Sequence, residues 1–527
     1  MKFALIVAML AALVTPAFAA GGDGDEKAPK ATVDPLDRID RLERELKQLR
    51  EESEVRKAGL PEKISLEEQE KKETPKAEVD FKASFTDGFH IKSTDGNFDL
   101  HVGGRWEEEY RYTFNRISSG ARTSVNTFYV REAFISVDGT IYKNWGFKLN
   151  GDFTPQQTAT VNGGAGPAFN NSAVSTGAII EEAFVEWKEL KEFRLVFGSF
   201  KQPVSFETTD SPRFAEFIQR SPMARFMPNF DTGIKAYGGF MDSAFTYELA
   251  VTNGRSHLAN QGRDQSDDND GKEYAARLTT APFVGDKDSI FRYLRIGAYG
   301  TFAHEGQDNG LNPAFFGGGT GTSPATNIAT NELAVTYLQL PGNNGYRFYG
   351  DRYRIGGEFT WAYGPFMMRG EMMTRHDEVH KPGSAQGPDT YNNLLATVGY
   401  YAEATFVLTG EDRIPNARIV PKNPFSLADG GWGAVEVGGR FGAVSLDSNV
   451  LQDILGVAGA GSLGRNGGAN SNRAQSWTFG VNWWPVQNVK FCVDYVGEYY
   501  GSDGVALATG HHGSHVNGML ARFQVDF

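Results

Sequence analysis

Three arginines, Arg213, Arg220 and Arg225, recur along one stretch that also holds Pro203, Pro212, Pro222 and Pro228. A guanidinium group offers phosphate or carboxylate oxygens two parallel hydrogen bonds. A set of them projecting into a narrow passage would therefore steer or bind an anion. Arg131, Arg194 and Lys235, in flanking segments, complete the candidate anion-binding set. Glu207, Asp210, Glu216 and Asp231 stand beside the loop arginines and could neutralise them locally. On one side of the stretch Phe193, Leu195 and Phe197 alternate with Arg194; on the other Ile234, Ala236 and Gly238 alternate with Lys235 and Tyr237. Both patterns predict strands. The roughly 25 residues between them form a loop of unusual length, and such loops are usually functional. The expectation is a loop folded into the lumen of a membrane barrel, narrowing it.

Other constellations carry less chemistry. His511, His512 and His515, and His376 with His380, have spacings that superficially resemble metal ligands, but nothing supplies an orienting second layer. The glycine clusters at 317–319 and 456–468 lack the strand-to-helix setting and the lysine of a phosphate-binding loop. No serine, histidine and acid converge as a nucleophile, and the single Cys492 excludes an intrachain disulfide. The sequence is expected to need no metal or cofactor and not to be an enzyme.

The positioning elements follow from composition and order. Lys2, the apolar run from Phe3 to Val14 and Ala17-Phe18-Ala19 read as a signal peptide over 1–19. No later stretch supplies the ~18 consecutive apolar residues of a spanning helix, yet an exported chain can still cross as a closed barrel. Residues 20–80 read as a periplasmic leader. Within 36–56, Ile39, Leu42, Leu46 and Leu49 fall at coiled-coil positions, and a charged linker follows. Residues 81–527 read as the barrel. The net charge of −13 divides into −5 over 21–80 and −9 over 81–527, apart from Lys2. No basic footprint for nucleic acid exists. Selectivity depends on the constriction rather than on the total charge.

From Asn97 onward the sequence alternates with period two, and membrane-spanning strands need about 9–11 residues each. The expectation is all-β: a transmembrane antiparallel barrel of about 16 strands. They are placed near 97–112, 127–142, 145–154, 177–190, 192–203, 231–242, 244–254, 272–284, 293–306, 346–364, 365–379, 392–411, 432–448, 472–486, 488–501 and 510–527. Joints such as 142–145, 364–365 and 485–488 are short; 155–176, 307–345 and 412–431 are long and are taken as external loops, with Arg413, Arg418 and Lys422 as external bases. A charge on the lipid face costs about 2–4 kcal/mol at the midplane. Arg105, Lys148, Arg277, Arg354, Arg369, Arg375, Arg440 and Arg522 are therefore expected inside, with acids such as Glu107, Glu182, Glu248, Glu358 and Glu403. For any one wall arginine, pairing with such an acid is the plain alternative to a transport role.

The segments FDLHVGGRW (98–106), FYVREAFISVDGTIYKNWGFKLNGDF (128–153), VFGSFKQPVSFE (196–207), GIKAYGGF (233–240), WGAVEVGGRF (432–441), FGVNWWPVQNVKFCVDY (479–495) and RFQVDF (522–527) resemble the phosphate-selective porin O and P family. The resemblance implies a 16-stranded outer-membrane porin with an inward-folded loop, commonly a homotrimer. It implies passive diffusion of small anionic solutes such as phosphate, within outer-membrane lipid. Here Glu132 follows Arg131 where a second basic residue would be typical, so the resemblance does not fix the solute. The alternative function is structural, a barrel anchoring the N-terminal helix to the cell wall.

Overall fold

A computed structural model describes residues 80–114, 126–154, 156–157, 174–175, 179–254, 271–305, 326–340, 347–382, 389–455, 471–501, 505–506, 512–513 and 515–527. Residues Phe81–Phe527 form one compact unit. The signal at 1–19 and the candidate coiled coil at 36–56 lie outside the described residues.

A hairpin, β1 (Phe81–Phe85) and β2 (Phe89–Ser93), precedes 16 wall strands. These are β3 (Phe98–Thr113), β4 (Asn126–Ile141), β5 (Trp145–Asp152), β6 (Ile179–Trp187), β7 (Arg194–Lys201), β8 (Phe230–Phe240), β9 (Phe245–Thr252) and β10 (Glu273–Thr280). The second half is β11 (Arg295–Glu305), β12 (Arg347–Tyr363), β13 (Phe366–Pro382), β14 (Asp389–Val407), β15 (Ala434–Leu446), β16 (Arg473–Val486), β17 (Val489–Tyr500) and β18 (His515–Asp526). Each pairs antiparallel with its neighbour. β18 returns to β3, with Ala521 opposite Tyr110 and Asp526 opposite Arg105. Closure leaves the wall no free edge, so every wall backbone group can be satisfied without water.

The alternation sorts side chains as anticipated. In β18 Arg522, Gln524 and Asp526 are buried inside while Met519 faces outward. Ile135, Leu149, Phe197, Leu278, Ile296, Ile355, Phe479 and Val493 are large and exposed around the outside. Arg277, Glu273, Arg354, Glu358, Arg440 and Glu436 are buried. Apolar outside and charged inside is the arrangement for a wall solvated by lipid.

Strand direction corrects one expectation. The connection 408–433 joins β14 to β15 and emerges at the end that carries the short turns and Phe527. It is not an external loop, and Arg413, Arg418 and Lys422 are turn-end residues. Its length serves attachments there: Arg413 reaches Glu216 and Glu436, and Arg418 reaches Asp87 and Asp526.

Candidate functional site

Residues 202–229 leave the wall after β7 and return at β8. Pro212 and Pro222 each open a 3-10 turn, where their missing N–H costs nothing. The segment crosses the lumen and is fastened to the far wall. Lys490 donates to Ala215 O at 2.6 Å, Asn482 to Glu216 O at 2.8 Å, Arg522 to Ile218 O at 2.6 Å and Arg440 to Gln219 O at 2.7 Å. Arg354 and Arg375 both donate to Phe226 O. The Ile218 amide donates to Asp494 at 2.7 Å, and the Glu207 amide to Glu371 at 2.8 Å. Strand-borne side chains thus stand in for the backbone partners that an irregular segment lacks.

Apolar packing seals the same side. Phe217, Ile218, Met223 and Phe226 are buried, each contributing roughly 1.5–3 kcal/mol if fully withdrawn from water. Glycines make the approach possible: a Cβ at Gly399 would lie 2.7 Å from Met223, and one at Gly442 would lie 2.8 Å from Pro222. A second segment, 326–340, joins them between β11 and β12. Leu333, Tyr337 and Leu338 enter the same apolar cluster, while Glu332 accepts from Arg440 and Ser476. Arg413 adds a third contribution from the turn end, pairing with Glu216, which Arg369 also holds at 2.7 Å. Burial raises the Glu216 pKa, but these two guanidinium groups outweigh it and hold the carboxyl below its usual range. The sequence predicted one inserted segment; among the described residues the segment 326–340 and the Arg413 side chain join it.

An open space lies along β6 to β10. A cavity of about 310 Å³ is lined there by Glu182, Glu186, Lys201, Asp210, Lys235, Tyr237, Glu248 and Arg277, with Phe184 and Phe200. Wall charges alternate in sign around it. Lys148 meets Glu182 at 2.6 Å, Arg194 meets Glu186 at 3.9 Å, and Lys235 meets Glu248 at 3.5 Å. Arg277 bridges Glu248 at 3.3 Å and Glu358 at 2.8 Å.

Two irregularities add charges to this surface. Arg131 is the extra residue of a β-bulge in β4, where Glu132 faces Glu107 and Val130 faces Glu108. Glu181 is the extra residue of another in β6, where Glu182 faces Asn150 and Ile180 faces Gly151. A bulge re-aims a side chain that regular alternation would place otherwise. Arg220 stands within electrostatic reach of Glu207, Glu132, Glu181 and Arg131, and Lys201 is a further close neighbour. Burial lowers the pKa of Arg220 against the pull of these carboxylates.

The family comparison matches this lumen-narrowed barrel over residues 105–527, to the model described as phosphate-selective porin O and P. The chain belongs to that family. It is an outer-membrane porin. It is similar to Porin O of Pseudomonas aeruginosa, 24% identical over 416 residues, covering 78% of this chain and 85% of that one. Among solved structures it resembles an anion-selective porin from Comamonas acidovorans at 10% identity, covering 82% of this chain and all of that one, with TM-score 0.44. It also resembles OmpF of Salmonella typhi, crystallised with daunomycin, at 9% identity, covering 85% of this chain and all of that one, with TM-score 0.46.

Within the porin the six candidate residues separate. Arg131 and Arg220 come together, and neither makes an ion pair among the described residues. Lys235 lines the cavity but is paired with Glu248, and Arg194 stands beside it, 3.9 Å from the lining Glu186. Arg213 lies at the turn end, 3.8 Å from Asp87, and its carbonyl accepts from Gln524. Arg225 lies beside Tyr337, toward the loop end. The three loop arginines therefore occupy three depths rather than one ring. Lys201 and Glu181 were absent from the candidate set. The Lys-Gln-Pro step that ends β7 was a visible signal for the first; nothing in the sequence marks the bulge that places the second. Of the histidine pair, His376 stacks on Tyr353 with centroids 4.6 Å apart, and His380 lies 3.5 Å from Glu378. No group of three metal-ligating side chains occurs among the described residues.

Proposed function

We propose that this porin conducts small hydrophilic solutes with a preference for anions, phosphate among them, and that Arg131 and Arg220 set the preference. The observation that carries this reading is the contrast in pairing at mid-lumen. Glu132 is engaged by Arg105, and Glu207 by Ser221 and Arg440. Among the described residues Arg131 and Arg220 have no such partner, and Lys201 donates to the Thr209 and Asp210 carbonyls. Glu181 also makes no ion pair among the described residues.

Magnitudes favour these few charges over the barrel's −9. A unit charge ~6 Å from a passing ion, at an effective dielectric of ~20, contributes about 3 kcal/mol. A charge ~20 Å away in water, behind a Debye length of about 8 Å, contributes well under 0.1 kcal/mol. Focusing by low-dielectric walls adds to the difference. The test is the reversal potential of purified protein in planar bilayers under a salt gradient, with inorganic phosphate as a competing ion. A cation-preferring wild type whose reversal potential ignores the double substitution R131A/R220A would overturn the assignment.

We also propose a homotrimer as the working assembly, on the strength of the family resemblance. Cross-linking in detergent that traps only monomers would remove it.

A further inference from the structure

The hairpin β1–β2 lies outside the closed wall. β18 uses the edge of β3 only from Arg105 to Thr113, ending where Phe527 and Gly104 exchange backbone hydrogen bonds of 3.0 and 2.8 Å. Below that point β2 takes over the same edge of β3, with Phe89 opposite Val102 and Ile91 opposite Leu100. Residues directly opposite in an antiparallel pair share a face. Val102 and Leu100 have the parity of Trp106, which faces outward, so Phe89 and Ile91 face outward too. Across the hairpin, Phe85 opposes Phe89 and Ala83 opposes Ile91. The outward face is therefore apolar except for Ser93, which is buried opposite Phe81, and Phe81, Phe85 and Phe89 are each more than half exposed. The other face is polar: Lys92 meets Asp99 at 3.1 Å, and His90 stacks on His101 with centroids 4.4 Å apart.

A water-bathed hairpin has no reason to keep the wall's polarity. This one continues the wall's outward ring contacts without a break. Phe85 touches Phe89 at 5.0 Å between centroids, and Phe89 touches the terminal Phe527 at 6.4 Å. On the adjacent strands Phe523, Phe491, Trp483 and Phe425 form a second such chain, with steps of 4.8, 5.3 and 5.3 Å. Phe425 belongs to the turn-end connection 408–433, which also exposes Leu427 and Trp432 almost fully. Arg418 of that connection ties it to Asp87 in the hairpin turn. Two segments that are not wall strands thus extend the lipid-facing belt past the rim in one sector. Aromatic rings of this kind sit at membrane–water interfaces, where one side is apolar and the other wet.

We propose that the outward face of the Phe81–Ser93 hairpin is a lipid-contacting shelf, which extends the belt at the turn end of the barrel and seats it in the adjoining leaflet. Lipid is the occupant because the face is continuous in parity and in ring contacts with the surface already solvated by lipid. The opposite face keeps the lysines and histidines in water or against the rim.

Spin labelling of the full-length protein in lipid vesicles tests this. With Cys492→Ser as background, single cysteines replace Ala83, Phe85 or Ile91 on the outward face and Lys82, Ser84 or Lys92 on the other; Ile135→Cys supplies a wall reference. Labels at 83, 85 and 91 should match the label at 135, relaxed by oxygen and shielded from a water-soluble nickel complex. Labels at 82, 84 and 92 should show the reverse. Equal access of the nickel complex to both faces would overturn the proposal by placing the hairpin in water. Spin–spin broadening on the outward face that disappears on dilution with unlabelled chain would overturn it in favour of a second copy. Heat-dependent gel migration of each variant verifies that the barrel has formed. Three positions per face keep the comparison decisive should one substitution prevent folding.

Discussion

The two sides of the lumen use the same residue types to opposite ends. Against β12 to β18, arginines and carboxylates are buried and mutually engaged. Arg369 joins Glu403 and Glu216, Arg440 joins Glu332, and Arg522 joins Glu107 and Glu109. Along β5 to β8 the paired bases Lys148, Arg194 and Lys235 are more exposed, and Arg131 and Arg220 make no ion pair among the described residues. A desolvated charge must be paired, since an orphaned one is costly. Arg131 is exposed and can stay unpaired; Arg220 is partly buried, and the carboxylates within its electrostatic reach offset that desolvation without a direct ion pair. The difference separates arginines that hold the constriction in place from arginines that a solute meets.

The largest effect should follow from breaking the fastened side. Glu216→Ala leaves Arg369 and Arg413 buried without their shared carboxylate, and losing one partner of a buried pair costs about 3–5 kcal/mol. Thermal unfolding in detergent should shift downward, and single-channel current should become noisy as residues 202–229 detach. A quiet channel of wild-type stability would show that apolar packing alone holds the segment.

Next comes R131A/R220A on the open side. Its reversal potential should move toward cation preference, more at low salt than at molar salt, with little change in thermal stability. Loss of stability comparable to Glu216→Ala would move these arginines into the structural class. Lys235→Ala should act in the same direction but less, because its charge is already offset by Glu248 at 3.5 Å.

pH sharpens the comparison further. Because the folded pKa of Glu216 is depressed, its contribution is present above the unfolded carboxylate value and is lost as pH falls through the folded one. The share of the fastening that Glu216 supplies should therefore persist from neutral through mildly acidic conditions and weaken only below the ordinary carboxylate range, read as a rise in current noise. Noise that already grows just below neutrality would assign the fastening to other carboxylates. Arg213→Ala should produce the smallest change in reversal potential, since its guanidinium lies at the turn end near Asp87 rather than at mid-lumen.

The sequence by itself determined the barrel and the sorting of its two faces. Period-two alternation is local, and lipid forbids charge on one face, so Arg522, Arg440 and Arg277 could be assigned inward without coordinates. The long Pro-studded segment after Lys201 was legible as an insertion for the same reason, being a break in a regular pattern. Which arginines are available to a solute was not legible, because it depends on partners up to hundreds of residues away. Glu216 meets Arg413 and Arg369, and Glu109 meets Arg522, only once the wall closes. The bulges at Arg131 and Glu181 shift register by one residue, which no alternation pattern announces. Length misled at 408–433, where strand direction, not loop size, decides the end from which a connection emerges. Local chemistry chose the faces; long-range pairing chose which charges are left open to the lumen.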